Sequence, residues 1–535
     1  MNDARDLVER LATGLQPLET GAARAWWDAA VTGDPAAYRK VEAFRNRIDG
    51  LYAEPGVFDA LCRAREAVLD DPALARRIEL LYLEALPRQV DPRLSRNINR
   101  LAAEAEREFA TFRPVFQGRR VSANDLDRVL REDGDEAGRR EAWEALKRVG
   151  PVVADRLHEL VVLRNRAAHR VGFQDFYMMR LALQEQDAGR LDRLLTVLDE
   201  RSGAAYRETK RSIDDALADR YGRPAGELQP WHYADQFFQD VPDVFGADLD
   251  EVYSTVDPTA LAGRFFEGIG LPVDAVLARS SLHEAEGKDP HAFATDIDRQ
   301  GDVRILLNLR SNERWMGTTL HELGHAVYDL GIDPALPWDL RRPAHTLVTE
   351  AIAMLFGRLS RSPAWMRDLG VVDDAGAARL DGPTAAEARA TMQVVVRWIL
   401  VMAHFERRLY ADPDQDLNAL WWELVERFQE IPRPERPPGA ADYAAKIHVV
   451  VAPVYYHNYL LGECLASQID GRLRDDVLDG AASYAGRPEV GAWLRERIFR
   501  PGAGLHYDDL AAAATGSPVG PEAFILQFLE PPPPP

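Results

Sequence analysis

The stretch TTLHELGHAVYDLG, residues 318–331, holds two histidines four apart with a glutamate directly after the first. With 12 His and 86 acidic residues in the chain, a His-acid-x-x-His string is expected about 0.04 times in a shuffled sequence. On a helix, positions i and i+4 lie on one face, one turn apart. His321 and His325 can then offer two imidazoles to one metal ion, with Glu322 beside them and free to act as a base. The flanks fit a helix. Ser311 or Asn312 can cap its start, and Gly331 follows Leu330 as a stop signal. Leu320, Leu323, Ala326, Val327 and Leu330 form an apolar stripe, so the helix is read as buried. Buried His and Glu need partners, and a metal would satisfy both imidazoles.

The surroundings bound the answer. A chain of 535 residues, 46% hydrophobic, can bury a large core. No Gly/Ser linker or low-complexity break divides it. A net charge of −21 argues against nucleic acid and anionic membranes as partners. Cys62 and Cys464 form no CxxC pair, so neither thiolate zinc nor redox chemistry is indicated. MNDARDLVERLATGLQPLE has no signal-peptide core, and no apolar run reaches membrane-spanning length. A cytoplasmic protein is expected. Pro531–Pro535 is expected to be an extended, disordered tail.

Most of the chain has helical periodicity. Apolar residues recur at spacings of three and four over 3–15, 36–52, 57–69, 73–86, 92–111, 123–132, 136–149 and 151–170. The pattern continues over 187–219, 384–411 and 416–429, with breaks at Pro55, Pro92, Gly118, Gly134 and Gly150. No fixed repeat period is visible, so a solenoid is disfavoured. HAFATDID (291–298) and VRILLNL (303–309) differ, being short, apolar-rich and joined by Arg299-Gln300-Gly301-Asp302. They predict a β-hairpin leading into the HELGH helix. An edge strand there can pair with an extended peptide.

A catalytic zinc takes three protein ligands and keeps one position for water. Tyr328 stands where HExxHxxGxxH needs its glycine, so that variant is excluded. The other common solution is a glutamate on a following helix. TLVTEAIAMLFGRLS (346–360) is such a helix, with Ile352, Leu355, Phe356 and Leu359 on its apolar side and Glu350 near its start. Asp329 and Asp333 are rival ligands. A second cluster, AKIHVVVAPVYYHNYLLGECL (445–465), gathers Lys446, His448, Tyr455, Tyr456, His457 and Tyr459. It reads as an aromatic core patch or as donors for a developing oxyanion. Tyr456 and Tyr459, at i and i+3, would share a helix face.

These motifs together resemble the angiotensin-converting-enzyme family of peptidyl-dipeptidases. That family carries HExxH and then a short HEAI helix start at almost the distance of TEAIAM here. RREAWEALKRVGPVVADRLHELVVLRNRAAHRVGFQDFYMMRLA (139–182), FFEGIGLP (265–272) and PHAFATDI (290–297) look like further family segments. The resemblance covers roughly residues 130–470. It implies a mostly α-helical, single-domain ellipsoid with a deep central channel and a short antiparallel sheet beside the zinc helix. The single peptidase domain would span 1–530, with lid helices over 1–130 and a catalytic body over 131–530. It implies Zn2+ as cofactor, oligopeptides as substrates and release of C-terminal dipeptides. His321, His325 and Glu350 match the zinc ligands, and Glu322 the general base and acid. Tyr459 matches the tyrosine that stabilises the oxyanion, and YHNY (456–459) aligns with a Tyr-x-x-Tyr. His448 and His291 match histidines that bind substrate carbonyls, and Ala292 a strand residue that pairs with the peptide. Lys446 and Tyr456 match groups that grip the terminal carboxylate. For the glutamine that completes this grip the candidate is Gln236, with Asp235 fitting nearly as well.

The sequence also departs from the family. Met354 stands where the family has an aspartate that supports a zinc histidine, so another group must orient the imidazole. Asn458 replaces the arginine of chloride-dependent members, which predicts little chloride activation. One residue is inserted between His448 and Tyr456. Three alternatives follow: a zinc endo-oligopeptidase or one-residue carboxypeptidase, a specialised amide or precursor-peptide enzyme, and an inactive peptide-binding homologue.

Overall fold

The computed structural model describes residues 2–67, 70–132 and 134–530; the expected proline tail lies outside them. Among the described residues the protein is 70% helical with two small antiparallel sheets, the mostly-α fold that the periodicity predicts. Among the described residues no helix is long and apolar enough to cross a membrane. The chain forms two compact units. The first comprises Met1–Gln89, Asp248–Thr384 and Leu461–Phe524, the second Val90–Ala247, Ala385–Leu460 and Ile525–Pro535.

One local device recurs at helix starts. Asp34-Pro35, Asp71-Pro72, Asp91-Pro92 and Asp257-Pro258 each place an aspartate at the cap and a proline at the first helical position. The carboxylate accepts backbone N–H groups that the helix leaves unpaired, and proline supplies a preset φ where no N–H is needed.

In the first unit, the helix Asn2–Thr32 runs through Pro17, well past the predicted end at residue 15. Its Leu7, Val8, Leu11 and Leu15 pack with Leu61, Leu74 and Ile78. Farther along, Trp27 and Ala30 pack with Ile297 and Leu306 of the hairpin. That hairpin is Phe293–Asp296 paired with Val303–Leu306, Phe293 opposite Leu306 and Asp296 opposite Val303. Ser281 bridges to Leu306 on the far side, so the second strand is covered at both edges.

The HELGH helix spans Glu313–Gly331, and Asn312 is its cap, accepting from the Trp315 N–H at 3.0 Å. Leu320, Leu323, Ala326 and Val327 are buried as expected; Leu330 is 40% exposed and lies off the stripe. Burying each leucine of that stripe contributes about 1.5–3 kcal/mol. Gly331 is the last helical residue and not a left-handed stop, since its φ is not positive. A Cβ there would lie 2.5 Å from the Phe499 ring, so the position is small because Phe499 covers it.

In the second unit, the helix Val149–Arg170 begins one residue before Gly150, which sits inside it where a break was predicted. A Cβ at Gly150 would meet the Ala441 carbonyl oxygen at 2.1 Å. The core is aromatic: the Trp421 ring lies 5.8 Å from Trp398 and 5.2 Å from Phe405. The helix predicted from 384 starts at Asp374 and runs to Ala411, through Pro383.

Candidate metal centre and carboxylate-binding cluster

The metal candidates lie in the first unit, on two packed helices. The HELGH helix carries His321 and His325; Thr346–Gly357 carries Glu350 in its second turn. The helices approach closely because Gly324 faces the second one: a Cβ there would be 2.8 Å from Ala353 Cα. Glu313 anchors the start of the HELGH helix through Arg361, at 3.0 Å, and the Ser360 hydroxyl, at 2.8 Å. On the far side, Gly462 comes against Glu350 and Met354, where a Cβ would meet Glu350 Cβ and Met354 Sδ at 3.3 Å.

This packing brings three donors together. Glu350 Oε2 lies 3.6 Å from His321 Nε2 and 3.9 Å from His325 Nε2. One ligand atom from each residue falls within 4.8 Å of the others. Zinc with ligands near 2.1 Å in tetrahedral geometry separates its donors by about 3.4 Å. Two imidazoles and a carboxylate also match the ligand types zinc takes, so the donor set fits. The rivals Asp329 and Asp333 are outside this group.

Burial keeps both imidazoles neutral at pH 7. It lowers His321 to about 4, and with the help of His321 it lowers His325 to about 3. Neutral imidazole is the form that ligates a metal. Glu322 is 7% exposed. Burial, and then the charge of Glu350, push it up to about 8, while a hydrogen bond from the Ala294 backbone opposes the rise. Its carboxyl therefore lies against the first hairpin strand, beside the metal ligands.

Ala292 immediately precedes that strand and is half-buried. His291 is the outlying member of the predicted set: its side chain is 88% exposed, and Nδ1 meets Asp289 Oδ1 at 3.2 Å. Thr349 stands directly before Glu350 on the same helix. Its Oγ1 lies 2.7 Å from His325 Nδ1.

The remaining candidates lie in the second unit. Lys446 is 7% exposed. Its ammonium sits among three rings, with centroids 5.1 Å away in Trp398, 5.2 Å in Tyr456 and 5.4 Å in Phe237. Burial lowers it to about 8, and the nearby Asp235 opposes this. The Tyr456 hydroxyl accepts from Trp398 Nε1 at 2.9 Å, and its ring lies 5.0 Å from His448 and 5.3 Å from Tyr459. Tyr456 comes just before the helix His457–Leu473, so the two tyrosines are not on one helix face, although their rings meet.

The glutamine that reaches Lys446 is Gln239, whose Oε1 accepts from Nζ at 2.6 Å. Gln236 instead lines a cavity with Lys147, Trp422 and Gln429. Asp235 accepts backbone N–H groups from Phe237, Gln239 and Asp240 and so shapes the loop. Residues 234–240 follow no regular period, so spacing could not say which glutamine turns toward the lysine. Both cysteines are free.

Comparison with known proteins agrees with the geometry. Residues 243–476 match the family described as angiotensin-converting enzyme. Carboxypeptidase 1 of Bacillus subtilis (strain 168) is 24% identical over 268 residues, 45% of this chain and 52% of that protein. The angiotensin-converting enzyme of Theromyzon tessulatum is 22% identical over 270 residues, 46% of this chain and 44% of that protein. The matches thus span about half the length of these relatives. The family match includes His321, Glu322, His325, Glu350 and the 446–459 cluster, and leaves out Gln236 and Gln239.

Proposed function

We propose, for a chain similar to the angiotensin-converting-enzyme family over residues 243–476, that it is a zinc-dependent peptidase releasing C-terminal dipeptides from oligopeptides. The observation that carries this reading is the meeting of His321, His325 and Glu350 with Glu322 beside them. These three residues would hold the ion. Bound zinc supplies a Lewis acid for the scissile carbonyl and a water acidic enough to attack near neutral pH.

The chain's own groups do the rest. Glu322 takes the proton of the attacking water and returns it to the leaving amine. Burial and the Glu350 charge raise its proton affinity toward neutrality, which suits a group that must do both. The family resemblance assigns the Tyr459 hydroxyl to the developing oxyanion, and His448 and His291 to substrate carbonyls. The strand beginning after Ala292 aligns the peptide backbone. Lys446 and Tyr456 receive the free C-terminal carboxylate, with Gln239 in the role for which the family resemblance made Gln236 the candidate.

The similarity to Carboxypeptidase 1 favours a second reading, removal of one residue at a time. Product masses from a mixed peptide library, after metal analysis and with Glu322→Ala run beside wild type, separate the two. Dipeptides lost from free C-termini in wild type only are the expected result. Single residues would support the second reading. Stoichiometric zinc with no cleavage of any peptide would refute both.

A further inference from the structure

We propose that Thr349 is the positioning residue of the metal centre, the acceptor that holds His325 with Nε2 turned to the ion. This rests on the metal-binding part of the function proposed above. The two ring nitrogens of His325 have different neighbours. Nε2 faces the Glu350 carboxylate at 3.9 Å, and Nδ1 lies 2.7 Å from Thr349 Oγ1. An imidazole that ligates through Nε2 carries its proton on Nδ1, and that proton needs an acceptor. The Thr349 hydroxyl oxygen is at the right distance to be that acceptor.

Three features make Thr349 a good support. It precedes Glu350 directly in the first turns of one helix, so a metal ligand and the support of another ligand move together. A threonine in a helix is restricted to about two χ1 rotamers, and the contact with His325 Nδ1 selects one of them. The position where the family has its supporting aspartate cannot fill the role, because Met354 is an apolar side chain set against Gly462. A neutral hydroxyl also donates less electron density through the ring than a carboxylate would. The metal should therefore be held by geometry more than by ligand basicity, and loss of the hydroxyl should be felt as loss of affinity.

The test is zinc affinity, read by competition with a chromophoric chelator for wild type, Thr349→Val and Thr349→Ser. Valine keeps the shape and removes the acceptor; serine keeps the acceptor. Thr349→Val should bind zinc about 10–100-fold more weakly, and Thr349→Ser should stay near wild type. The visible spectrum of the cobalt-substituted protein should change in the valine variant alone. Valine with wild-type zinc affinity and cobalt spectrum would overturn the proposal. A measurement on the wild type guards against a variant that fails to fold: 15N spectra of the His325 ring in metal-free protein should show the proton on Nδ1. The opposite tautomer overturns the proposal. If wild type binds zinc but cleaves nothing, the peptidase reading falls and this inference still stands on affinity. If wild type binds no zinc, both fall.

Discussion

Replacing Gly324 by alanine should separate the two helices that carry the metal ligands. The new Cβ would lie 2.8 Å from Ala353 Cα, 3.2 Å from the Ile352 carbonyl oxygen and 3.3 Å from Ala353 N. All three are backbone atoms, so no flexible side chain can swing aside. Relief to an ordinary contact needs the helices to part by about 0.6–1 Å, and overpacking of this kind costs about 1–3 kcal/mol. The same shift moves Glu350 away from His321 and His325, so zinc affinity should fall with stability. Gly50 provides the control. It lies exposed in the helix Pro35–Tyr52, and a Cβ there would meet nothing within 4 Å. Alanine at 50 should stabilise by about 0.4–1 kcal/mol, because it restricts the unfolded chain and costs no contact. The assay is urea unfolding of metal-free protein, followed by chelator competition for zinc. Gly324→Ala with wild-type stability and zinc affinity, alongside a stabilised Gly50→Ala, would refute the close-approach argument.

Two further outcomes follow from the second unit. Glu406 is 2% exposed and burial pushes it up to about 8, so the folded protein keeps a proton that the unfolded chain loses near pH 4.5. Stability should therefore fall as pH rises from about 4.5 through 8, by at most about 1.4 kcal/mol for each step of one in pH. Glu406→Gln, which keeps an acceptor for the Val454 N–H, should flatten that slope in urea melts across this range, and an unchanged slope would contradict the reading. Chloride should activate peptide hydrolysis little. Asn458 donates to Gln184 and accepts from Gln186, each at 2.7 Å, so a closed amide network stands where chloride-dependent members have an arginine. A large rate increase from chloride-free to chloride-rich buffer of equal ionic strength would count against it.

What could be read from the sequence was what lies along one helix or one short hairpin. The i, i+4 spacing of His321 and His325 needs only helical geometry, and the hairpin at 293–306 needs only short apolar-rich runs around a Gly-containing turn. Glu350 was legible for a different reason: a catalytic zinc takes a third protein ligand, and a glutamate near the start of the following apolar helix is a common way to supply it. Two of the misses are tertiary. Gly331 resembles a stop signal in one dimension, but its smallness answers to Phe499, 168 positions later in the chain. Gln239 and Gln236 flank the same two phenylalanines, and only the turn shaped by Asp235 decides between them.

Thr349 shows how far such reasoning reaches. Met354 made it plain that some acceptor must replace the missing carboxylate, yet a hydroxyl five positions earlier could not be chosen without knowing how the two helices face each other. That facing depends on Gly324, which in the string HELGH reads only as a weak helix former. Its small size lets the Glu350 helix approach, and that approach sets both the 3.6 Å and 3.9 Å donor distances and the 2.7 Å Thr349 contact. Gly324→Ala should therefore weaken zinc binding more than Thr349→Val does, because it disturbs the carboxylate ligand and the imidazole support together. The reverse order would mean that the ligands hold their positions independently of the helix contact.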